Sequence, residues 1–99
     1  MSVAVFSANA ALARMLLLEA KRCGLCEATP SEARVWLIDL DAPVPLPRED
    51  NATMHVALSS TPARVERDRY SAVLDAALES HRIAFLAEES RKTGRTIVE

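Results

Sequence analysis

Cys23 and Cys26 stand three positions apart as a Cys-x-x-Cys pair, a spacing used for thiol–disulfide exchange and for zinc. A redox pair of the thioredoxin kind places its first thiol at a helix N-terminus, where the dipole favours thiolate. The residues before Cys23 read as helix and put it at a C-terminus instead, with the opposite effect. Zinc takes about four ligands, and His55 and His81 fall at spacings that match no finger pattern. Buried structural thiols at a helix end are the plainer reading, with a thiol redox sensor as the functional alternative. The second group is acidic. Asp39 and Asp41 close the apolar run that starts at Arg34. A carboxylate at the carboxyl end of a buried strand can attack a phosphoryl donor to give an acyl phosphate, and can equally cap a loop or pair with an arginine. Ser59 and Ser60 end a further apolar run, where hydroxyls either face a ligand or cap the next turn. No phosphate loop of the GxGxxG or GxxxxGK[ST] type exists in a chain with 2 glycines, and neither histidine lies in a recognisable nucleophile motif, so ordinary hydrolase, kinase and dehydrogenase readings lack support. Arg64, Arg67 and Arg69 alternate with Glu66 and Asp68, the pattern of a solvated helix face, and Trp36 within an apolar strand reads as core.

The elements that position these groups follow from the patterning. Val3–Phe6 is a short β-prone run with the profile of a strand buried on both faces. Ser7 and Asn9 can both cap a helix, and the segment from Ala10 to Cys23 is rich in strong helix formers and stops at Gly24. Leu12, Met15, Leu16, Glu19 and Ala20 show the i, i+3, i+4 spacing of one helix side, with Arg14, Lys21 and Arg22 mostly on the other. Leu25–Ala28 reads as a brief second strand, and Thr29–Ser31 as a loop with at most one helical turn at Ser31–Ala33. Arg34–Asp41 has the profile of a central parallel strand whose carboxyl end opens into a crevice. Pro43, Pro45 and Pro47 then forbid regular helix or inner strand, and the polar stretch Arg48–Thr53 extends the loop. Met54–Leu58 is another short strand. Thr61 and Pro62 suit a helix start, and Tyr70, Val73, Leu74, Ala77 and Leu78 form a stripe at helical spacing that predicts a helix to about His81. Ile83, Phe85 and Leu86 fit a strand or a continued helix, and the strand is the expectation here. The tail Ser90–Glu99 either turns at Lys92–Gly94 into a final strand Thr96–Val98 or begins a further element.

Ninety-nine residues suit one domain, since two cores would have about 50 residues each, near the limit of independent folding. The composition is 49% hydrophobic and 26% charged with 2 cysteines, which excludes collagen-like, disordered and disulfide-scaffold classes. A net charge of −2 with both signs scattered provides no basic footprint for nucleic acid. No apolar run approaches the roughly 20 residues of a membrane span, and the first residues lack a signal-like pattern, so the expected location is the cytoplasm.

The order strand, helix, strand, strand, strand, helix, strand over about residues 2–88 resembles the receiver domain of bacterial response regulators, a flavodoxin-like fold. Trp36–Pro43 carries the most specific part, an acid at the end of the third strand followed four residues later by proline; Val56–Ser60 is similar to the fourth strand that ends in a phosphoryl-binding hydroxyl. The resemblance implies Asp39 as phospho-acceptor, Ser59 and Ser60 as phosphoryl-binding groups, and Mg²⁺ as cofactor, with Asp41 a weak candidate ligand. It also shows departures. Ser7, Ala8 and Asn9 stand where the family carries adjacent acids for the metal, and the expected fifth strand, Ile83–Leu86, leads to neither the family's lysine nor its proline. Without the metal, charge neutralisation at a transferring phosphoryl group is lost.

The expected architecture is therefore α/β: a small flavodoxin-like parallel sheet of about five strands, with reduced helices because the Gly24–Asp39 and Asp39–Met54 intervals are too short for crossover helices. Residues 1–88 would form the domain and 89–99 a tail or the start of a further element. A sheet face without helices must be covered by the proline loop, the tail or another chain, which points to a homodimer or a docked protein partner. The expected function is a non-enzymatic regulatory module in signal transduction, with no cofactor, no membrane and no direct nucleic-acid contact. Its alternative is a phosphorylatable receiver that uses Asp39 with Mg²⁺.

Overall fold

The computed structural model describes residues 2–98, with side-chain surroundings through Glu89. Five strands lie in one all-parallel sheet in the order β2-β1-β3-β4-β5: β1 (Ser2–Phe6), β2 (Cys26–Glu27), β3 (Val35–Asp39), β4 (Met54–Ser59) and β5 (Ala72–Asp75). This is the flavodoxin-like order, whose direction reverses between β1 and β3. Two α-helices accompany it, α1 (Ala10–Arg22) and α2 (Glu79–Val98). Asn9 caps α1 by accepting the Leu12 N–H at 3.1 Å. After the helix, Gly24 adopts a φ of 90°, the left-handed conformation that glycine takes without a Cβ clash.

Alternation along the strands sorts the interior into two layers. Val3, Val35, Leu37, Val56, Leu58 and Leu74 pack with Leu16 and Ala20 of α1 and Leu86 of α2, so both helices cover one face. Ala4, Phe6, Trp36 and Ile38 face the other way, and what packs on them is loop: Ala28 and Ala33, Val44 and Ala52 of the proline segment, and Tyr70. Trp36 is only 2% exposed and its indole N–H donates to the Pro30 carbonyl at 3.0 Å. The β2–β3 and β3–β4 connections contain no helix, as their lengths require, and the chain's own loops bury the face that crossover helices would otherwise cover.

The second half departs from the sequence expectation. Thr61–His81 is not one helix: it holds two short 3₁₀ turns, Pro62–Arg64 and Arg67–Arg69, followed by β5. The interleaved arginines thus lie on exposed turns, not on a helix face. Val73 and Leu74 are both buried although adjacent, which a strand covered on two sides provides and a one-sided helix does not. Pairing with the outer edge of β4 decides the matter, from Val56 opposite Ala72 to Ser59 opposite Asp75. Conversely, Ile83–Leu86 is not the fifth strand and Thr96–Val98 is not a sixth: both lie within α2. That helix runs through Glu88 and Glu89 without a break, so the boundary drawn at 88/89 falls inside one element.

The inner ridge of α2 explains why its period was hidden. Among its described residues, Arg82, Leu86 and Glu89 are buried at 6%, 1% and 5% exposure, a helical spacing in which two of these three are charged. Arg82 is clamped to Glu19 of α1, itself 5% exposed, through Nε to Oε1 at 3.3 Å and Nη2 to Oε2 at 3.2 Å, and its Nη1 donates to the Ala76 carbonyl at 2.9 Å. This fork ties the two helices together beneath the sheet. No helix among the described residues is long and apolar enough to cross a membrane.

Candidate functional site

Parallel α/β sheets bind ligands at the carboxyl ends of their strands, next to the point where strand order reverses. Here that edge is built from Ser7 after β1, Asp39–Asp41 at the end of β3, Ser59 and Ser60 at the end of β4, and Asp75 at the end of β5. The structure thus brings the predicted Asp39, Asp41, Ser59 and Ser60 to one edge. It also shows what each of them is bonded to.

Asp39 is 1% exposed. Its Oδ2 accepts the Ser7 hydroxyl at 2.7 Å, and its Oδ1 accepts the Asp41 N–H at 2.9 Å. Ser7 is held for this role because its Oγ accepts the Asn9 N–H at 3.0 Å, while Ala8 N–H donates to the Ala42 carbonyl at 2.8 Å and ties the two loops together. A neutral relay, Asn9 N–H to Ser7 O–H to Asp39, therefore occupies the ground at the switch point. Ser7 is the site residue whose role sequence reasoning missed, having been read as a possible cap and as a departure from the family's acids but not as a partner of Asp39; its place one residue past β1, opposite the end of β3, was the available signal.

Asp41 is exposed and bridges to β4: its carboxylate accepts the Ser60 N–H at 2.9 and 3.2 Å and faces the Ser60 hydroxyl at 3.3 Å. Ser59, 3% exposed, accepts the Thr61 N–H at 3.0 Å and contacts the Thr61 hydroxyl at 3.3 Å. Both serines thus serve as local turn and loop ties. Beside them opens a pocket of about 320 Å³ whose lining includes Asp41, Ser59, Thr61, Arg64, Arg69 and Tyr70. Asp39 is not part of that lining, and Arg69 is engaged by Glu66 at 2.8 Å. The potential nucleophile and the open volume are separate.

The fifth strand ends in Asp75 followed by Ala76, so an acid stands at its carboxyl end, where the resemblance led to the expectation of a lysine. Asp75 is itself tied down: its N–H donates to His81 Nδ1 at 3.0 Å, and its Oδ1 accepts the Ala77 N–H at 2.9 Å. His81 therefore acts as an acceptor that fixes the start of α2. His55 bonds Asp50 at 2.7 Å and meets Trp36 edge-on with centroids 5.3 Å apart, which anchors the end of the proline loop.

The donor set does not fit Mg²⁺. That ion demands near-octahedral oxygen ligation, usually with one or two carboxylates free to reach it. At this edge the Asn9 side-chain oxygen is spent on the α1 cap, the Ser7 oxygen on Asp39, and the Asp41 oxygens on Ser60. Among the described residues no group of three or more His, Cys, Asp and Glu side chains is arranged to hold a metal.

The Cys-x-x-Cys pair is divided by the sheet edge. Cys23, half-buried, packs against the helix-side core; Cys26 is exposed on the edge strand β2. The expectation of two buried thiols thus holds for neither in full, and Cys26 is its clear failure. Leu25 points into the helix-side core and Ala28 into the loop-side core, so alternation turns Cys26 away from Cys23. Both are free thiols.

No family model, no curated protein and no solved structure matches the chain.

Proposed function

We propose that this chain is a non-enzymatic regulatory module of the cytoplasm, a receiver-like domain that works by protein–protein association, with a partner or with a second copy, in signal transduction such as transcription regulation. The observation that carries the reading is the state of Asp39: 1% exposed, with both carboxyl oxygens held by the chain's own hydroxyl and N–H donors. A phospho-acceptor needs an oxygen open to the donor and a cation to offset the charge that develops. The arrangement at β1, β3 and β5 offers Ser7, Asp41 and Asp75 in those places.

The surface for association is not the bare sheet face, which the loops cover, but the apolar side chains that remain outside: Met15 and Leu18 on α1, Leu78 and Ile83 around the start of α2, and Leu46 in the proline loop, each at least 40% exposed. Neither the phosphorylation reading nor the thiol-sensor reading gains an observation from the geometry. Incubation of wild type and Asp39→Asn with a small phosphodonor and Mg²⁺, followed by intact-mass measurement, tests the proposal. It expects one unmodified mass for both; a phosphoryl adduct on wild type that the substitution removes overturns it.

A further inference from the structure

We infer that Ala42–Arg48 is a preformed polyproline II ligand whose outward side chains fit an aromatic-lined groove on another protein. The inference rests on the association reading above and names the kind of partner. Pro43, Pro45 and Pro47 alternate with Val44 and Leu46, so every residue from Ala42 to Pro47 is either a proline or the residue before one. Proline fixes φ near −65°, and a following proline drives the preceding residue out of the helical region toward extended and polyproline II conformations. Ala42–Pro47 is therefore restricted to extended and polyproline II backbone before any tertiary contact forms.

The fold adds what a free peptide lacks. The segment contains no helix or strand, and among the described residues no main-chain hydrogen bond joins Pro43–Asn51 to other backbone, as expected of a solvated polyproline II segment. Its ends are fixed: the Ala42 carbonyl accepts the Ala8 N–H at 2.8 Å, Asp50 bonds His55 at 2.7 Å, and Asn51 Nδ2 donates to the Ser31 carbonyl at 2.9 Å. Between these ties the three-residue period of polyproline II sorts the side chains into ridges. Val44 is half-buried against the loop-side core, while Pro47, three residues on, is exposed and lines a shallow hollow together with Pro30, Ser31, Arg48 and Glu49. The period puts Pro43 with Leu46 on one outward ridge, and Pro45 and Arg48 are exposed beside it.

Covering the sheet explains Val44 but not Leu46, which stands 46% exposed between two rigid prolines. Nor does it explain Arg48, which takes part in none of the ion pairs formed among the described residues. A groove whose aromatic rings receive the Pro43–Leu46 ridge and whose carboxylates meet Arg48 accounts for both. Such grooves exploit a ligand that loses little conformational entropy on binding, and both ends of this one are already immobilised. The ridge is Pro-x-x-Leu where the commonest ligands of this type are Pro-x-x-Pro, so the slot that receives position 46 takes a branched aliphatic group.

The test is a titration of the ¹⁵N-labelled full chain with three probes that carry aromatic polyproline grooves: an SH3, a WW and an EVH1 domain. The expected result is saturable shifts confined to the Val44, Leu46 and Arg48 amides with at least one probe. Leu46→Ser should weaken that binding about tenfold, from the loss of most of one leucine's burial. Arg48→Glu should weaken it and reverse its salt dependence. Both positions are exposed, so circular dichroism should match wild type. No saturable shift at these amides with any probe, or binding that survives Leu46→Ser, overturns the inference. Such a failure leaves the phosphodonor result untouched, whereas a phosphoryl adduct at Asp39 defeats the association reading without altering the titration.

Discussion

The clamp between α1 and α2 gives the sharpest energetic prediction. Arg82→Met removes a guanidinium that is 6% exposed and leaves the Glu19 carboxylate, 5% exposed, without the cation that bonds both of its oxygens at 3.2 and 3.3 Å. Stranding one member of a buried ion pair costs about 3–5 kcal/mol, a large share of the roughly 5–15 kcal/mol that holds a domain folded. For a chain of this size the loss corresponds to a fall of order 15–30 °C in Tm. Replacing both partners, Glu19→Met with Arg82→Met, removes the stranded charge, and stability should return to within about 2 kcal/mol of wild type. The remainder is the Ala76 carbonyl, which loses its donor at 2.9 Å. Urea unfolding followed by far-ultraviolet circular dichroism measures all three proteins. A single substitution that costs under about 1 kcal/mol, or a double substitution as unstable as the single, would refute the claim that the pair is a coupled, desolvated unit.

Ser7→Ala should destabilise the fold by about 1–3 kcal/mol, because Asp39 is left buried with one donor fewer; chemical denaturation checks it. Ser7→Asp sets a second carboxylate against Asp39 and should create a Mg²⁺-dependent protein: thermal denaturation should show a lower Tm without the ion and recovery on adding it, an effect wild type lacks. Trp36, the only tryptophan in the chain, should resist iodide quenching equally at low and high protein concentration, since the proline loop and not a second copy covers it. Thiol titration should be biphasic, with Cys26 fast and Cys23 slow, and mild oxidant should leave both countable because they face different sides of the sheet edge.

Much of the first half was legible because its signals are local. The continuous apolar runs at Val3–Phe6 and Val35–Ile38, the Asn9 cap and the Gly24 stop each state their element without reference to the rest of the chain. The second half depends on partners distant in sequence. Tyr70, Val73, Leu74, Ala77 and Leu78 do lie at helical spacing, but β4 needed a neighbour on its outer edge, and the ladder from Val56 to Ser59 took Ala72–Asp75 as strand. The α2 signal was present at Arg82, Leu86 and Glu89, yet hydropathy hides a buried ridge whose polar members are compensated elsewhere, in the case of Arg82 by Glu19. The same applies to the site. Asp39 at the tip of the middle strand could be read directly, whereas its Ser7 partner lies 32 residues away and becomes its neighbour only through parallel pairing of β1 with β3.

The most direct measurement of the central claim uses the Asp41 amide, whose N–H rests on Asp39 Oδ1 at 2.9 Å and so reports any change at that carboxyl group. In a Mg²⁺ titration of the ¹⁵N-labelled chain, the account predicts that the Ser7, Ala8 and Asp41 resonances stay in place while only weak, non-saturating drifts occur elsewhere. A saturable shift shared by these three amides would mean that a cation reaches Asp39 and displaces the serine, and the reading of Asp39 as a sealed, non-switching aspartate would be wrong.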